Sequence, residues 1–291
     1  MESRDEPRAT TALPLWVRGL LLASRGLTWI FRAQAVLRDE ILLAFVAPEL
    51  RDAVTTAAYS RDDSYLPGGA TFEQGLLSWE IALFERPEMP RRGRVLLAGA
   101  GGGREVKALA DRDYEVLAFE PVERYCEACA KALGHRSKVQ VVCASYKDLV
   151  EFAGTGDGRL AGFRGAFDLV WLGWGSFAHI TNIEDQIAVL RSLRTVAPNA
   201  PVVLSFFLNA SAERPGAPTG LRHVLRRTLA MLGGRHASPA IQFWPWAGFA
   251  YVFTRSEIEH LFRAAGYSPA VLKEDPYPHA LLVPDHSPGT G

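Results

Sequence analysis

The stretch Arg94–Ala110, RVLLAGAGGGREVKALA, constrains the fold more than any other part of the chain. Its short apolar run, Val95 to Ala98, suits a buried parallel strand. Gly99, Gly101, Gly102 and Gly103 follow, interrupted only by Ala100, and Arg104 to Ala110 has the pattern of an amphipathic helix. Glycines at a strand-to-helix turn let the backbone bend sharply and let a ligand approach without meeting a Cβ. The helix start presents unpaired N–H groups and a positive dipole end, suited to a polar or anionic group. The dinucleotide fingerprint G-x-G-x-x-G does not fit, because its third glycine, counted from Gly99, falls on Arg104. A second strand, Glu115 to Phe119, ends at Glu120, where a carboxylate can accept hydrogen bonds from ribose hydroxyls. Such an acid indicates a ribose without choosing the cofactor.

From Arg94 onward strands and helices alternate, the signature of an α/β fold with a doubly wound parallel sheet. Further strands are expected at Val139–Cys143, Phe167–Leu172 and Pro201–Phe206. The intervening helices are expected near Glu105–Asp111, Val122–Leu133, Tyr146–Phe152 and Asn182–Val196. The alternation then breaks into an insert at about 209–251. It holds a Pro/Gly-rich loop, a basic helix near Leu221–Leu232, and the aromatics Phe243, Trp244, Trp246, Phe249 and Tyr251. Regularity returns with a capping box, Thr254 with Glu257, opening a helix to Ala265. Two last strands, Ala270–Lys273 and Ala280–Val283, are too close in sequence for a parallel crossover and should form an antiparallel hairpin.

Residues 1–90 read as an N-terminal helical cap or lid, and 91–291 as the core. Pro14 to about Leu37 is an amphipathic helix or helix pair. Trp16, Leu20, Leu27 and Phe31 share one side, and Arg18, Arg25 and Arg32 line another. A capping helix is the favoured reading; a helix on a membrane surface is the alternative. A second helix is expected at Glu40–Val46, ended by Pro48. Thr71 and Gln74 suggest a capping box for a helix through Phe84. No apolar run reaches ~18 residues, so no transmembrane helix is expected, and the N-terminus lacks the pattern of a signal peptide.

Of the 291 residues 48% are apolar, enough for a sizeable core. Lysine plus arginine equals aspartate plus glutamate at 32 each, which argues against nucleic acid as the main partner. Three cysteines, Cys126, Cys129 and Cys143, give no disulfide framework and suggest a reducing cytoplasm. Cys126 and Cys129 read as small apolar helix residues rather than a metal or redox pair.

Five features in order resemble the class I S-adenosylmethionine-dependent methyltransferases. They are LLAGAGGG at 96–103, VLAFEP at 116–121, CASYKDL at 143–149, FDLVWLGWGSFAHI at 167–180, and the closing helix plus hairpin. The resemblance covers about Arg94 to Val283. It implies a seven-stranded sheet of order 3-2-1-4-5-7-6 with strand 7 antiparallel, and S-adenosylmethionine as cofactor. It places Gly99, Ala100, Gly101 and Gly103 by the methionine half of the cofactor. Glu120 and Pro121 fall at the ribose, Ser145 and Tyr146 at the adenine, and Gly173 beside the methyl group. The GGGRE turn preceded by GLLSWE is similar to a bacterial subset with an N-terminal helical cap, in which Tyr59 and Tyr65 could belong to a lid. Two positions depart from the family. Ser145 stands where an aspartate is common, and Leu97 stands where many members have an acid.

Methyl transfer is an in-line displacement, so the protein must align donor and acceptor and exclude water. A hydroxyl acceptor needs a base, and His179, just past the fourth strand, is the first candidate. The competing reading is a loop histidine bonded to backbone. His223 and His236 are weaker candidates. Arg104 could meet the cofactor's carboxylate or pair with Glu80. The insert's aromatics could be core, or with the cap could enclose an apolar acceptor. The expected function is methylation of a small, partly apolar molecule, at oxygen. The alternatives are a cofactor-binding protein without turnover and a lipid methyltransferase at a membrane surface.

Overall fold

The computed structural model describes residues 13–209, 221–232 and 238–285. The chain opens with α1 (Leu15–Phe45), one helix of 31 residues where the sequence suggested two. Nothing between Leu37 and Glu40 breaks a helix, and Arg38 pairs with Asp39 across the expected gap. The helix ends just ahead of Pro48, because the residue before a proline is pushed away from helical backbone. Pro48 then starts α2 (Pro48–Tyr59), a helix not anticipated: proline at the first helical position stops one helix and begins the next.

A one-turn 3₁₀ segment at Asp63–Tyr65 leads to α3 (Ala70–Glu73) and α4 (Ser78–Leu83). The single helix expected from Thr71 to Phe84 is therefore broken. Gly75, at φ 65°, adopts the left-handed backbone that interrupts it. Thr71 bonds Ser64 instead of capping, and Glu80 accepts from the Leu77 N–H at the start of α4.

The core runs β1 (Arg94–Ala98), α5 (Arg104–Ala110), β2 (Glu115–Glu120), α6 (Glu123–Leu133), β3 (Val139–Cys143), α7 (Tyr146–Thr155), β4 (Leu169–Leu172), α8 (Ile183–Val196) and β5 (Val202–Ser205). The insert, with the residues that flank it, contributes β6 (Phe207–Leu208), α9 (Leu221–Met231), β7 (Ile241–Trp244) and β8 (Gly248–Phe253). The chain closes with α10 (Arg255–Ala264), β9 (Tyr267–Lys273) and β10 (His279–Pro284). The main sheet has order β3-β2-β1-β4-β5-β10-β9, with β10 antiparallel to both neighbours, as expected. Thr254 and Glu257 form the anticipated capping box of α10.

Alternation along the strands divides the core in two. Leu96, Ala98, Leu117, Phe119, Val170 and Leu172 face one layer, with residues of α7, α8 and α10. Val95, Leu97, Val116, Ala118, Leu169 and Trp171 face the other, where Trp79 and Leu83 of α4 join α5 and α6. Leu97, at the position where the family often carries an acid, is fully buried in this second layer.

The insert forms a small sheet, β6-β8-β7. Its Phe243, Phe249 and Tyr251 are buried in the first layer, so these three are core. Trp244 stacks on the exposed Trp246 and edges onto Phe207. The sequence reading of three unpaired cysteines needs correction. Cys126 on α6 is disulfide-bonded to Cys143 at the end of β3, where packing brings their Cα atoms to 5.5 Å. Cys129 remains free and buried. With this bridge, cysteine usage no longer points to a reducing compartment. No helix among the described residues is long and apolar enough to cross a membrane.

Candidate functional site

After β1 the chain turns through Gly99 (φ 71°) and Gly101 (φ 53°), a backbone that side chains disfavour. The N–H groups of Gly99 and Ala100 donate to the Phe119 carbonyl at 2.9 and 3.1 Å, fastening the bend to β2. Glu120 completes the fastening. Its carboxylate accepts from the Gly101 N–H at 2.7 Å and from the Val122 N–H at 2.9 Å. Burial raises its pKa to about 7, against the lowering effect of those two N–H donors. A carboxylate has about four acceptor sites, so two bonds leave capacity toward the cavity that it borders.

That cavity encloses about 600 Å³ at the carboxyl edge of the parallel strands. Gly99, Gly101, Glu120, Pro121, Ser145, Tyr146, Tyr65 and His179 all line it, so eight residues singled out in the sequence meet at one place. Ala100 lies in a small adjoining recess with Tyr65, Arg104 and Trp174. Gly103 and Gly173 serve close packing behind the cavity. A Cβ on Gly103 would meet Cys129 Sγ at 2.6 Å, and one on Gly173 would meet the Gly99 carbonyl oxygen at 2.0 Å. Trp244 and Trp246 do not line the cavity.

Ser145 caps α7: its N–H and hydroxyl both donate to Asp148 Oδ2, at 2.7 and 2.6 Å. Its hydroxyl proton is thereby committed. Tyr146 packs its ring edge on Phe119 and shares a 2.8 Å hydrogen bond with Ser176.

His179 ends the 3₁₀ turn that follows β4. Its Nδ1 lies 2.8 Å from the Phe249 carbonyl oxygen of β8. A carbonyl only accepts, so Nδ1 carries the proton and Nε2 is a free acceptor. Nε2 lies 2.9 Å from the Tyr59 hydroxyl, which therefore donates to it. Burial lowers the His179 pKa and keeps the ring neutral. Burial, with Tyr65 nearby, raises Tyr59 well above its usual value. Of the two sequence readings of His179, the backbone-bonded one is realised at Nδ1, and Nε2 faces the Tyr59 hydroxyl. The Tyr59–His179 pair was not foreseen, because α2 and the turn after β4 are 120 residues apart. The side chain of His223 and all of His236 lie outside the described residues.

Arg104 forms a bidentate pair with Glu80 at 2.7 and 2.9 Å and a second pair with Glu105 at 2.5 Å. All three are buried. Burial works to lower the Arg104 pKa, but the Glu105 and Glu80 carboxylates outweigh it and raise it. Of the two sequence readings, the geometry realises the Glu80 pair.

A strap over the bend closes the site. The Tyr125 hydroxyl donates to the carbonyls of Tyr59 and Asp62, and Arg124 bonds the Ser60 carbonyl and Asp63. Tyr65 stands edge-on to Tyr59, ring centroids 5.6 Å apart. Among the described residues no group of three His, Cys, Asp or Glu could hold a metal ion.

No protein-family model and no curated protein matches the sequence. Solved structures do match in fold. One is a 1,6-didemethyltoxoflavin-N1-methyltransferase of Burkholderia thailandensis, bound to 1,6-didemethyltoxoflavin and S-adenosylhomocysteine. It is 19% identical, the match covers 84% of this chain and 92% of that one, and the TM-score is 0.50. The S-adenosylmethionine-bound amino pentose methyltransferase CalS10 of Micromonospora echinaspora is 14% identical over 74% of this chain and 94% of that one, TM-score 0.50. The PH0226 protein of Pyrococcus horikoshii is 15% identical over 78% and 97%, TM-score 0.52. With its sheet order, its glycine bend and these neighbours together, the chain has the class I Rossmann-like methyltransferase fold.

Proposed function

We propose that the protein is an S-adenosylmethionine-dependent methyltransferase that acts at an oxygen of a small, partly apolar molecule. One observation carries the reading. A single cavity joins the Glu120-fastened glycine bend to a neutral Tyr59–His179 pair.

The residues present fit the cofactor. Gly99 and Gly101 present backbone without side chains, and Glu120 has acceptor capacity left for ribose hydroxyls. Pro121, Tyr146 and the Ser145 backbone take the adenine end, since the Ser145 hydroxyl proton is held by Asp148. Tyr65 closes the methionine end beside Ala100, while Gly103 and Gly173 shape the backbone. When bound, S-adenosylmethionine supplies an electrophilic methyl group.

The chain's own work is to place the acceptor, exclude water and take its proton. An acceptor hydroxyl seated on Tyr59 passes its proton to the phenol oxygen as Tyr59 passes its own to His179 Nε2. The imidazolium so formed keeps Nδ1–H on the Phe249 carbonyl and gains an Nε2–H. General-base assistance of this kind contributes about 10²–10⁴-fold. Within the expected cap region, α2 and Tyr65 form the roof of the cavity, and the core follows from β1 onward. The cavity volume lies within the roughly 300–1,000 Å³ of small-molecule pockets. A small-molecule acceptor also agrees with the neutral net charge, which gives no footing for nucleic acid.

A cofactor-binding protein without turnover is the second reading, favoured by the committed Ser145 hydroxyl and by Leu97. Titration calorimetry and transfer of labelled methyl groups separate the two. Expected are one saturable site for S-adenosylmethionine, binding weakened about tenfold or more in Glu120→Ala, and label on hydroxylated, partly apolar acceptors. Intact binding with no labelled product in any extract fraction selects the second reading. No binding overturns both.

A further inference from the structure

We infer that α1 is a docking helix for the surface of an anionic lipid bilayer, on which it lies without crossing. The inference concerns a surface remote from the cavity and does not depend on the reaction. Trp16, Leu20, Leu27 and Phe31 share one face of the helix, and each is 55–70% exposed. Trp29 and Ile30 are exposed as well. Nothing among the described residues covers this face, and monomeric proteins rarely leave apolar patches of such extent open to water.

Charge identifies the occupant. Between Leu15 and Leu37 there are three arginines and no acid. Arg18, Arg25 and Arg32 recur every seven residues on the face opposite the apolar one, and none makes an ion pair among the described residues. The acids of the helix, Asp39 and Glu40, lie at its root and are paired with Arg38 and Arg226. A second copy packed on the apolar face would leave the arginines of both helices pointing away from the seam, so it would cover the apolar residues and give the arginines no partner. Phosphate-bearing headgroups meet both needs at once. The apolar face sinks into the headgroup and acyl boundary while the arginines remain at headgroup level, and tryptophans favour that boundary.

The root of the helix is fixed. Leu43 and Ala44 are buried, and α9 grips Glu40 through Arg226. Only a two-residue joint separates α1 from α2, whose Thr55 and Tyr59 line the cavity. Docking would therefore hold the cavity at a set distance from the bilayer.

The test is flotation of the full chain with vesicles of phosphatidylcholine alone or with added phosphatidylglycerol. We expect binding to the anionic vesicles that weakens with salt. Each arginine near an anionic surface is worth roughly fivefold in partition, so the triple change Arg18→Gln, Arg25→Gln, Arg32→Gln should weaken binding roughly 100-fold. The pair Leu20→Asp, Phe31→Asp should abolish it. All five positions are exposed, so circular dichroism and cofactor titration should be unchanged. Failure to float, equal flotation with neutral vesicles, or indifference to both sets of changes overturns the inference. So does a dimer in sedimentation that Leu20→Asp and Phe31→Asp dissolve while no vesicle binds.

Discussion

With its pKa raised to about 7 by burial, Glu120 changes charge within the neutral range. Only the ionised form keeps every lone pair for N–H and ribose O–H donors. Affinity for S-adenosylmethionine should therefore fall as pH drops through 7. In Glu120→Gln it should be weaker and nearly flat, which calorimetry at pH 6 and pH 8 will show. Stability runs the other way in the ligand-free protein. A carboxyl with a raised folded-state pKa stabilises the fold below its ordinary value, and that contribution is lost as pH rises through about 7. Thermal melts of wild type and Glu120→Gln between pH 5 and 8 should converge toward the acid end. At the other side of the cavity, Tyr59→Phe keeps the ring and its packing on Tyr65 but removes the hydroxyl that His179 accepts from. His179→Gln removes the base. Each should lower kcat by about 10²–10⁴-fold while leaving cofactor affinity within a few-fold, as single-turnover kinetics and titration can separate.

At the scale of elements, α4, α5 and the turn after β4 are joined through charge. Arg104 bridges Glu80 of α4 and Glu105, and Glu105 accepts from the Trp174 N–H. Arg104→Met should leave two carboxylates buried without a cation and cost about 3–5 kcal/mol in denaturant unfolding. The double change with Glu80→Leu should recover part of the loss. Most elements were legible because each obeys a local rule. Apolar runs marked β1 through β5, and Thr254 with Glu257 marked the start of α10. What was not legible depended on neighbours. Pro48 reads as a stop but is also a start, and Gly75 breaks a helix whose periodicity continues through it. Phe243, Phe249 and Tyr251 alternate as strand residues do, but the insert lacked flanking signals to tell strand from pocket wall. Cys126 and Cys143 lie on different elements, and their approach is set by how α6 packs on β3. The glycine-bend side of the cavity is legible because the bend and Glu120 are fixed by short-range pattern. The Tyr59–His179 contact required the tertiary fold.

Over the whole molecule, the insert shares the main core. Phe253 stacks on Phe177 at 6.2 Å and sets its edge against Phe206 at 6.1 Å, with all three fully buried. Phe253→Ala should cost about 3–5 kcal/mol. Unfolding should remain one transition, with tryptophan fluorescence and far-ultraviolet circular dichroism coincident. An insert that melted first would show the two probes separating. The shared core also ties the insert to the His179 ring. The oxygen that orients the His179 imidazole belongs to Phe249, inside the insert. A chimera carrying foreign residues from 209 to 251 would have to return a main-chain oxygen to that spot. Without one the imidazole would be free to swivel, and Nε2 would lose the Tyr59 hydroxyl.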